Sequence, residues 1–504
     1  MGDVFDDQSL TSPVPGAAEA STAEGPASPA VGRDEWVARH AERRVRRVGW
    51  IGDVEERLGR VPWWCWLTLF VAGVALLPVA YSSGYVRRVA FDTVLYMLLA
   101  LGLNVVVGWG GLLDLGYVAF YGCGAYAYAL LNSDKYGVHL GTLPSLPLIV
   151  SIGALVGFLV GLPSRRLVGD YLAIVTLFFL EIFLTVTTNS DDAFGHNVAG
   201  GPNGILNVDP LSFFGRDVVV AHEGVFNVAY LYIAMAVFVV VFVALRFVNH
   251  SRTGRAWRSL REDALAAELM GMPVNSLKLL SFAFGAAVAA LTGVLFASLN
   301  ADVFPLSFSF PLLITIYTMV ILGGQGSQAG VVIGAILISV LLELLREPGD
   351  ARALFYTVVL LGLIVAFRLS KRLAIVLGGT LVFGVVLHAV AKAIDGSWVN
   401  GSVQGGGRLD FASDWVIVPQ HLASWVAPVT YVGLVAATLL LTLLRGWLRM
   451  VVLVPTLYLA AFVWENVMLA KPEPTRYIVL GALLIALMIA RPNGLLGERR
   501  VEIV

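Results

Sequence analysis

The chain has 504 residues, of which 58% are hydrophobic, and its mean hydropathy is +0.80. Soluble domains contain roughly 45–50% apolar residues, so this composition excludes a soluble protein and indicates a membrane protein with many spans. The formal net charge of −1 says little, because in such proteins the positions of Lys and Arg carry the information. The two cysteines, Cys65 and Cys123, lie in apolar stretches, which indicates neither a disulfide framework nor a metal site.

The N-terminal region, residues 1–62, precedes the first apolar stretch. It lacks the basic segment of a signal peptide, and residues 1–32 are rich in Ala, Ser, Pro and Gly, which is typical of disorder. Residues 33–60 combine several arginines with Trp36 and Trp50, as in a helix that lies on anionic lipid. An arginine excess before a first span also serves as a simple topology signal. Both interpretations predict a cytoplasmic N-terminal extension.

Apolar stretches of about 20 residues, the length needed to cross a bilayer, follow one another through the rest of the chain. The predicted spans cover residues 63–80, 89–108, 113–131, 143–163, 170–187, 227–247, 279–299, 311–323, 329–345, 353–367, 373–391, 423–444, 449–467 and 476–490. They predict an all-α polytopic transmembrane helical bundle of about 14 spans, in which the short span 311–323 is compatible with a broken or re-entrant helix. With the N-terminus in the cytoplasm, most Lys and Arg fall on the inner side, so we expect the C-terminus there too.

A charged segment at residues 251–272, SRTGRAWRSLREDALAAELMGM, separates two of the predicted spans on the inner side. Its apolar residues recur at helical spacing, and charged residues occupy the remaining positions. The apolar set is Trp257, Leu260, Ala264, Leu265 and Leu269. This pattern predicts one short amphipathic helix whose apolar stripe docks against a soluble protein.

Carboxylates inside the membrane cost about 3 kcal/mol on insertion scales and usually face the protein interior. Asp114 lies one or two residues inside its predicted span, where water can reach it, and Glu181 lies deeper. Each is a candidate for lining the path of a polar solute or for bonding between helices. Asp92 and Glu465 lie near span ends, where solvation explains them.

Enzyme signatures are missing from the sequence: it contains no HExxH motif, no GxSxG motif, and no GK[ST] of a phosphate-binding loop. We therefore expect no catalytic residue and no cofactor or metal held by this chain. The glycines serve other purposes. The cluster LGGQGSQAG at 322–330 predicts a flexible connector or a pore lip. Gly153, Gly157 and Gly161, at four-residue spacing, predict close helix packing in preference to a substrate path.

Six stretches form an ordered set of motifs over about 90–346 and 476–497. They are ALGLNVVVGWGGLLDLGYVAFYGCGAY at 100–126, GDYLAIVTL at 169–177, GGPNGI at 200–205, SRTGRAWRSLREDALAAELMG at 251–271, VILGGQGSQAGVVIGA at 320–335 and RPNGLLG at 491–497. Together they resemble the permease subunits of branched-chain amino acid ABC importers, and GDYLAIVTL and GGPNGI resemble the LivM type more than the LivH type.

The resemblance implies a multi-pass subunit of the bacterial plasma membrane that translocates a solute without covalent chemistry. In this family a second permease subunit completes the pathway, two separate cytoplasmic ATPases bind ATP, and an extracytoplasmic solute-binding protein delivers the amino acid. Membrane lipid is the remaining contact, and nucleic acid is not expected. By carry-over, segment 248–278 is the coupling loop, with ATPase-coupling residues Gly254, Arg255, Arg261, Glu262, Ala267 and Gly271. The expected translocation-path residues are Asn104, Asp114 and Glu181.

The chain departs from the family pattern at both ends. We divide it into the extension 1–62, the permease core 63–346, additional helices 347–475, and a terminal span with cytoplasmic tail 476–504. Spans 353–367 and 476–490 both resemble the family's final span. The resemblance implies that the substrate is a branched-chain amino acid or a related small polar solute. Two alternatives stay open: a secondary transporter or channel without ATPases, for which only Glu181 offers an ion-coupling carboxylate, and a membrane-embedded transferase.

Overall fold

The computed structural model describes most of the chain from Pro62 onward. The described residues are 62–81, 83–165, 170–192, 196–213, 216–218, 221–222, 225–368, 370–399, 417, 425–491 and 494–497. Apart from Pro62, the predicted N-terminal extension lies outside them. The chain divides into two units after Phe70, and of the first unit only residues 62–70, which open the first helix, are described.

Helices make up nearly all the regular structure of the described residues. They are α1 Trp63–Ala80, α2 Gly84–Leu103, α3 Tyr117–Leu131, α4 Thr142–Gly161, α5 Asp170–Thr188, α6 Val228–His250, α7 Arg252–Glu262, α8 Ala264–Leu269, α9 Val274–Asn300, α10 Phe310–Gly323, α11 Gln328–Leu344, α12 Pro348–Phe367, α13 Lys371–Ile394, α14 Val426–Leu443, α15 Trp447–Val463 and α16 Pro472–Ala490. Two continue as π-helical turns, α2 through Asn104–Trp109 and α15 through Trp464–Met468. Two antiparallel pairs of two-residue strands join Ser212–Phe213 to Arg216–Asp217 and Ala221–His222 to Val225–Phe226.

Eleven of the described helices are long and apolar enough to cross a membrane, and three shorter apolar helices, α1, α3 and α11, accompany them. Each predicted span coincides with one of these helices, so the all-α polytopic class is confirmed, while the count of about 14 crossings stays a prediction. The predicted span 311–323 is a single unbroken helix, α10, which follows a 3-10 turn over Pro305–Phe308.

The centre of the bundle is α9, which packs against α2, α3 and α4. Glycines permit this approach. A Cβ atom added to Gly157 would lie 2.5 Å from the Cβ atom of Ala286, and one added to Gly153 would lie 2.4 Å from that of Ala290. Gly161 makes the same kind of contact with α9 one turn further on. The predicted role of these glycines in close helix packing is therefore confirmed.

The additional helices pack largely against one another: α13 and α14 both contact α15, and α14 has no buried residue. A buried ion pair ties α12 to the end of α15. Arg352 and Glu465 approach to 3.0 Å with side chains only 1% and 4% exposed, and the Tyr356 hydroxyl donates to Glu465 at 3.3 Å. The expectation that solvation explains Glu465 is therefore wrong, because Arg352, and not water, compensates its charge.

Of the two helices that resemble the family's final span, α16 packs against α10, whereas α12 packs against α11 and α13. After α16 the chain contacts the cluster LGGQGSQAG at 322–330, which is here called the glycine-rich connector. The amides of Leu495 and Leu496 donate to the carbonyls of Leu322 at 2.9 Å and Gly323 at 3.0 Å. Two residues of the RPNGLLG stretch, Leu495 and Leu496, thus bond to the start of the LGGQGSQAG cluster.

Candidate coupling and translocation site

The segment between α6 and α9 forms two helices, α7 and α8, and not the single amphipathic helix expected. Asp263 separates them in an extended conformation, and its Oδ1 atom accepts hydrogen bonds from the amides of Leu265 at 2.9 Å and Ala266 at 3.0 Å. An aspartate that satisfies the first free amides of a helix is a strong N-cap, so it starts α8 afresh. The apolar stripe predicted across the whole segment is therefore split.

The apolar side of α7 faces the membrane bundle. Trp257 is 0% exposed and Leu260 is 4% exposed. The Trp257 indole donates to the Leu277 carbonyl of α9 at 2.9 Å and stacks on Trp109 with ring centroids 6.2 Å apart and an interplanar angle of 21°. Phe284 meets it edge-on at 5.9 Å. These residues anchor α7 in the chain's own core, so they are not the docking stripe that the sequence predicted.

The apolar side of α8 is exposed instead. Leu265 is 67% exposed, Leu269 is 80% exposed, and Met270 beyond the helix is 80% exposed. Gly271 then takes a positive φ of 81°, with open space where a side chain would lie, and turns the chain toward α9. The surface of Leu265, Leu269 and Met270, here called the α8 face, is the part of the segment that a partner can reach.

The six predicted coupling residues divide by orientation. Arg255 and Glu262 are exposed together with Gly271, whereas Gly254 and Ala267 are buried. Gly254 has no room for a side chain, because a Cβ atom there would lie 2.3 Å from the Asn249 carbonyl oxygen.

Arg261 is half-buried and lies between two loops of the bundle. A Cβ atom added to Gly111 would lie 3.0 Å from the Cγ atom of Arg261, and one added to Gly326 would lie 2.6 Å from its Nη1 atom. Both glycines have positive φ, at 66° and 91°. Arg261 therefore contacts the loop after α2 and the glycine-rich connector after α10.

Asn104 begins the π-helical turn of α2 and is fully buried. Its Oδ1 atom accepts from the Gly326 amide at 2.8 Å, while the Trp109 indole donates to the Gly326 carbonyl at 2.9 Å. Both backbone groups of Gly326 are thus held by the two ends of one π turn. π-helical turns are rare in proteins, and many of those that do occur lie at functional sites. The predicted flexible connector is consequently pinned at this glycine.

Asp114 is 0% exposed, so the expectation that water reaches it is wrong. Its Oδ1 atom accepts from the Gly116 amide at 2.9 Å, and the Tyr317 hydroxyl donates to the Asp114 backbone carbonyl at 2.6 Å. Its Oδ2 atom is buried without a hydrogen-bond partner among the described residues. Asn104 has a similar atom in Nδ2. Two of the predicted translocation-path residues, Asn104 and Asp114, therefore lie in the protein interior, and each has a buried polar atom without a hydrogen-bond partner among the described residues.

Glu181, the third predicted path residue, does not lie in the interior with Asn104 and Asp114, because it is exposed on the side of α5 that points away from the bundle. The same face carries Phe178, Ile182 and Val186, which are 62%, 59% and 62% exposed. Glu181 is therefore a lone carboxylate in an apolar stripe, here called the α5 stripe.

Sequence reasoning missed Trp109, Gly326 and the inward direction of Trp257. The tryptophans lie 148 residues apart, and nothing local indicates that they stack. One signal existed: an aspartate in the middle of a predicted amphipathic helix marks a possible cap and hence a break.

Comparisons with known proteins identify the family of the chain. A family model described as the branched-chain amino acid transport system permease component matches residues 85–369. The chain is 39% identical over 316 residues to the high-affinity branched-chain amino acid transport system permease protein LivM of Escherichia coli K12, covering 58% of this chain and 71% of that protein. It is 30% identical over 268 residues to a probable LivM of Methanocaldococcus jannaschii, covering 48% and 72%.

The LivH protein of Escherichia coli K12 is more distant, at 26% identity over 261 residues, covering 49% of this chain and 80% of that protein. No solved structure matches the chain at a significant level. The matched range 85–369 contains α2 through α12, with both α7 and the glycine-rich connector, and leaves α13 to α16 outside. The chain is therefore a multi-pass membrane protein that belongs to the family of branched-chain amino acid transport permeases, closer to LivM than to LivH.

Proposed function

We propose that the chain imports branched-chain amino acids with the energy of ATP, as one of two permease subunits in a bacterial plasma membrane. Two cytoplasmic ATPases and an extracytoplasmic solute-binding protein complete the assembly, and both termini of this chain lie in the cytoplasm. The family and the LivM and LivH relatives support the substrate class. The α8 face carries the proposal: it exposes leucines and a methionine directly after α7, which Trp257 anchors in the bundle.

The mechanical argument rests on how α7 is anchored. Trp257 bonds to α9 and stacks on Trp109 of α2, while Arg261 contacts the loops that follow α2 and α10. A partner that binds the α8 face therefore acts through α7 on three membrane helices, α2, α9 and α10. Rigid-body motion of a docked partner can in this way change the packing of the helices that surround Asn104 and Asp114.

The exposed α5 stripe is an observation in favour of a second permease subunit. A carboxylate that faces lipid costs about 3 kcal/mol near the bilayer centre, and intramembrane carboxylates almost always face a protein interior or a water-filled cavity. Glu181 meets neither condition within this chain. We assign the α5 stripe to the contact with the second permease subunit, where Glu181 reaches the shared pathway.

The ATPase partnership is tested by replacing Leu265 and Leu269 together with serine. The double variant should remain in the membrane but recover at least tenfold less ATPase on co-purification, and ATP-dependent leucine uptake should fall with it. Leu206→Ser is the matched control, because Leu206 is also exposed, at 52%, but lies outside the segment. Full ATPase recovery with the double variant would contradict the docking assignment. Leucine uptake by the chain without any ATPase would favour a secondary transporter.

The permease contact is tested by cross-linking in a background without Cys65 and Cys123. A cysteine at Phe178 on the α5 stripe should form a cross-link to the second permease subunit. Val240→Cys on α6, also exposed at 68%, is the control and should label with a lipid-soluble maleimide without cross-linking. Equal cross-linking from both positions would remove the assignment.

A further inference from the structure

A cavity of about 320 Å³ opens between α2, α10, α11 and α16. On α2 it is bordered by Asp92, which precedes Trp109 by 17 residues, or about 25 Å along a helix. The cavity therefore lies far from the coupling segment, on the predicted outer side. Its volume is at the lower end of the roughly 300–1,000 Å³ of small-molecule pockets, which suits a small solute.

The cavity walls carry both signs of charge. Arg476 of α16 contributes a cation, and its Nε atom is buried without a hydrogen-bond partner in the part of the chain that the structure describes. Asp92 and Glu343 contribute carboxylates from α2 and α11. Asp92 pairs with Arg88 at 3.1 Å, and Glu343 pairs with Arg346 at 3.4 Å and also accepts from the Tyr85 hydroxyl. The carboxylates are thus held in place by groups outside the cavity, while Arg476 is left with donor capacity.

Ser339 adds a neutral polar atom deep in the wall. It is 6% exposed, and its Oγ atom has no hydrogen-bond partner among the described residues. Three leucines, Leu306, Leu312 and Leu342, supply apolar surface beside it. A buried donor without a partner is unfavourable, so a ligand with complementary groups gains free energy by bonding to it.

We propose that this cavity is a subsite for the zwitterion of a small apolar α-amino acid. Arg476 binds the α-carboxylate, Asp92 and Glu343 bind the α-ammonium, and the leucines receive the side chain. A simple anion would face two carboxylates, and a simple cation would face the Arg476 guanidinium, so the mixed wall favours a ligand that carries both charges. The inference rests on the proposed function and adds which atoms of the chain hold the substrate.

The test compares leucine with two analogues that each lack one charge, leucinol without the carboxylate and 4-methylpentanoate without the ammonium. Binding of labelled leucine to the assembly of permeases and ATPases, without the solute-binding protein, is measured by competition, and ATP-driven uptake into proteoliposomes is measured with the complete assembly. For the unaltered chain, each analogue should compete at least tenfold less well than leucine. Arg476→Gln should weaken leucine binding at least tenfold, about 1.4 kcal/mol, and should abolish the discrimination against leucinol.

Glu473→Gln, on the first turn of the same helix but outside the cavity, is the matched control and should bind leucine normally. Ser339→Leu reduces the cavity volume and should weaken leucine binding tenfold with an unchanged midpoint of thermal unfolding, which keeps the test decisive if Arg476→Gln folds poorly. If the unaltered assembly imports leucine but both variants retain its affinity and selectivity, the subsite is wrong. If the unaltered assembly imports no leucine at all, the proposed function is wrong instead.

Discussion

Replacing Trp257 with alanine should separate ATP hydrolysis from transport. Trp257 is the point where α7 joins the bundle: it donates to the Leu277 carbonyl at 2.9 Å, stacks on Trp109, and is 0% exposed. Trp109 in turn donates to the Gly326 carbonyl. Without the indole, only Arg261 links α7 to the loop after α2 and to the glycine-rich connector among the contacts described above, so motion of the α8 face is transmitted less effectively.

The magnitude follows from these contacts. Truncation of a buried tryptophan to alanine costs about 3–5 kcal/mol, which includes about 0.5–1.5 kcal/mol for the ring pair and a similar amount for the hydrogen bond. Every 1.4 kcal/mol is a factor of ten in an equilibrium. A loss of about 3 kcal/mol at this junction therefore raises the population in which α7 is detached about a hundredfold. The remaining helix contacts of the bundle are unaltered, so we expect the protein to stay folded.

The assay is the number of ATP molecules hydrolysed per leucine imported, measured in proteoliposomes with the complete assembly. This ratio should rise at least tenfold for Trp257→Ala, and it should rise less for Trp257→Phe, which keeps an aromatic ring but loses the hydrogen bond. Trp447→Ala is the matched control, because Trp447 is 71% exposed. An unchanged ratio in a folded Trp257→Ala variant would refute the transmission through the stacked tryptophans.

Three further predictions concern the bundle and its outer loops. Glu465→Gln removes the carboxylate that pairs with the buried Arg352, so it should destabilise the protein by about 3–5 kcal/mol, measured as a fall in the midpoint of thermal unfolding. Gly157→Leu should force α4 away from α9 and lower the free energy of unfolding by about 1–3 kcal/mol. The measurement is the fraction of protein that remains monodisperse after detergent extraction. The hydrogen bond and charge of Asp209 raise the pKa of His139, so an NMR titration should show that pKa falling toward its ordinary value in Asp209→Asn.

Each of these has a control within the chain. Gly378→Ala should be tolerated, because no atom lies within 4 Å of its added Cβ atom. The double replacement of Arg352 and Glu465 by apolar residues should recover stability that Glu465→Gln loses, and continued loss would show that the pair is not the cause. For His139 the protonated form is favoured in the folded state. The stabilisation is thus present at low pH and lost as pH rises through the raised pKa, so stability that rises across that range would contradict the assignment.

The sequence was sufficient to predict the helices, because length and apolar content are local properties that the bilayer demands of every span. It was not sufficient to predict which way the charged segment faces. Trp257 and Leu260 are three residues apart and Leu265 and Leu269 are four apart, so both pairs fit one face of a helix, yet the first pair is buried and the second exposed. The difference arises from Asp263, which ends one helix and caps the next.

Pairings between distant residues could not be predicted for a different reason. Glu465 near a span end is consistent with solvation until Arg352, 113 positions earlier, is placed beside it. The cavity likewise requires α2, α10, α11 and α16 to meet. Family motifs indicated that Arg261 matters but not that it contacts Gly111 and Gly326, because a motif records residue identity and not direction.

The buried polar atoms without partners in the described part of the chain suggest how the cavity and the coupling segment communicate. Native proteins satisfy nearly all such atoms, so those left over require an explanation. The unpartnered atoms of Ser339 and Arg476 lie at the cavity, and the unpartnered Oδ2 atom of Asp114 lies further inside the bundle. Helix α10 joins the two places: Thr315 borders the cavity, and Tyr317, about 3 Å further along the axis, bonds to the Asp114 backbone. Because α10 ends in the connector that the π turn of α2 holds, displacement of that connector must act on the cavity wall and on Asp114 together.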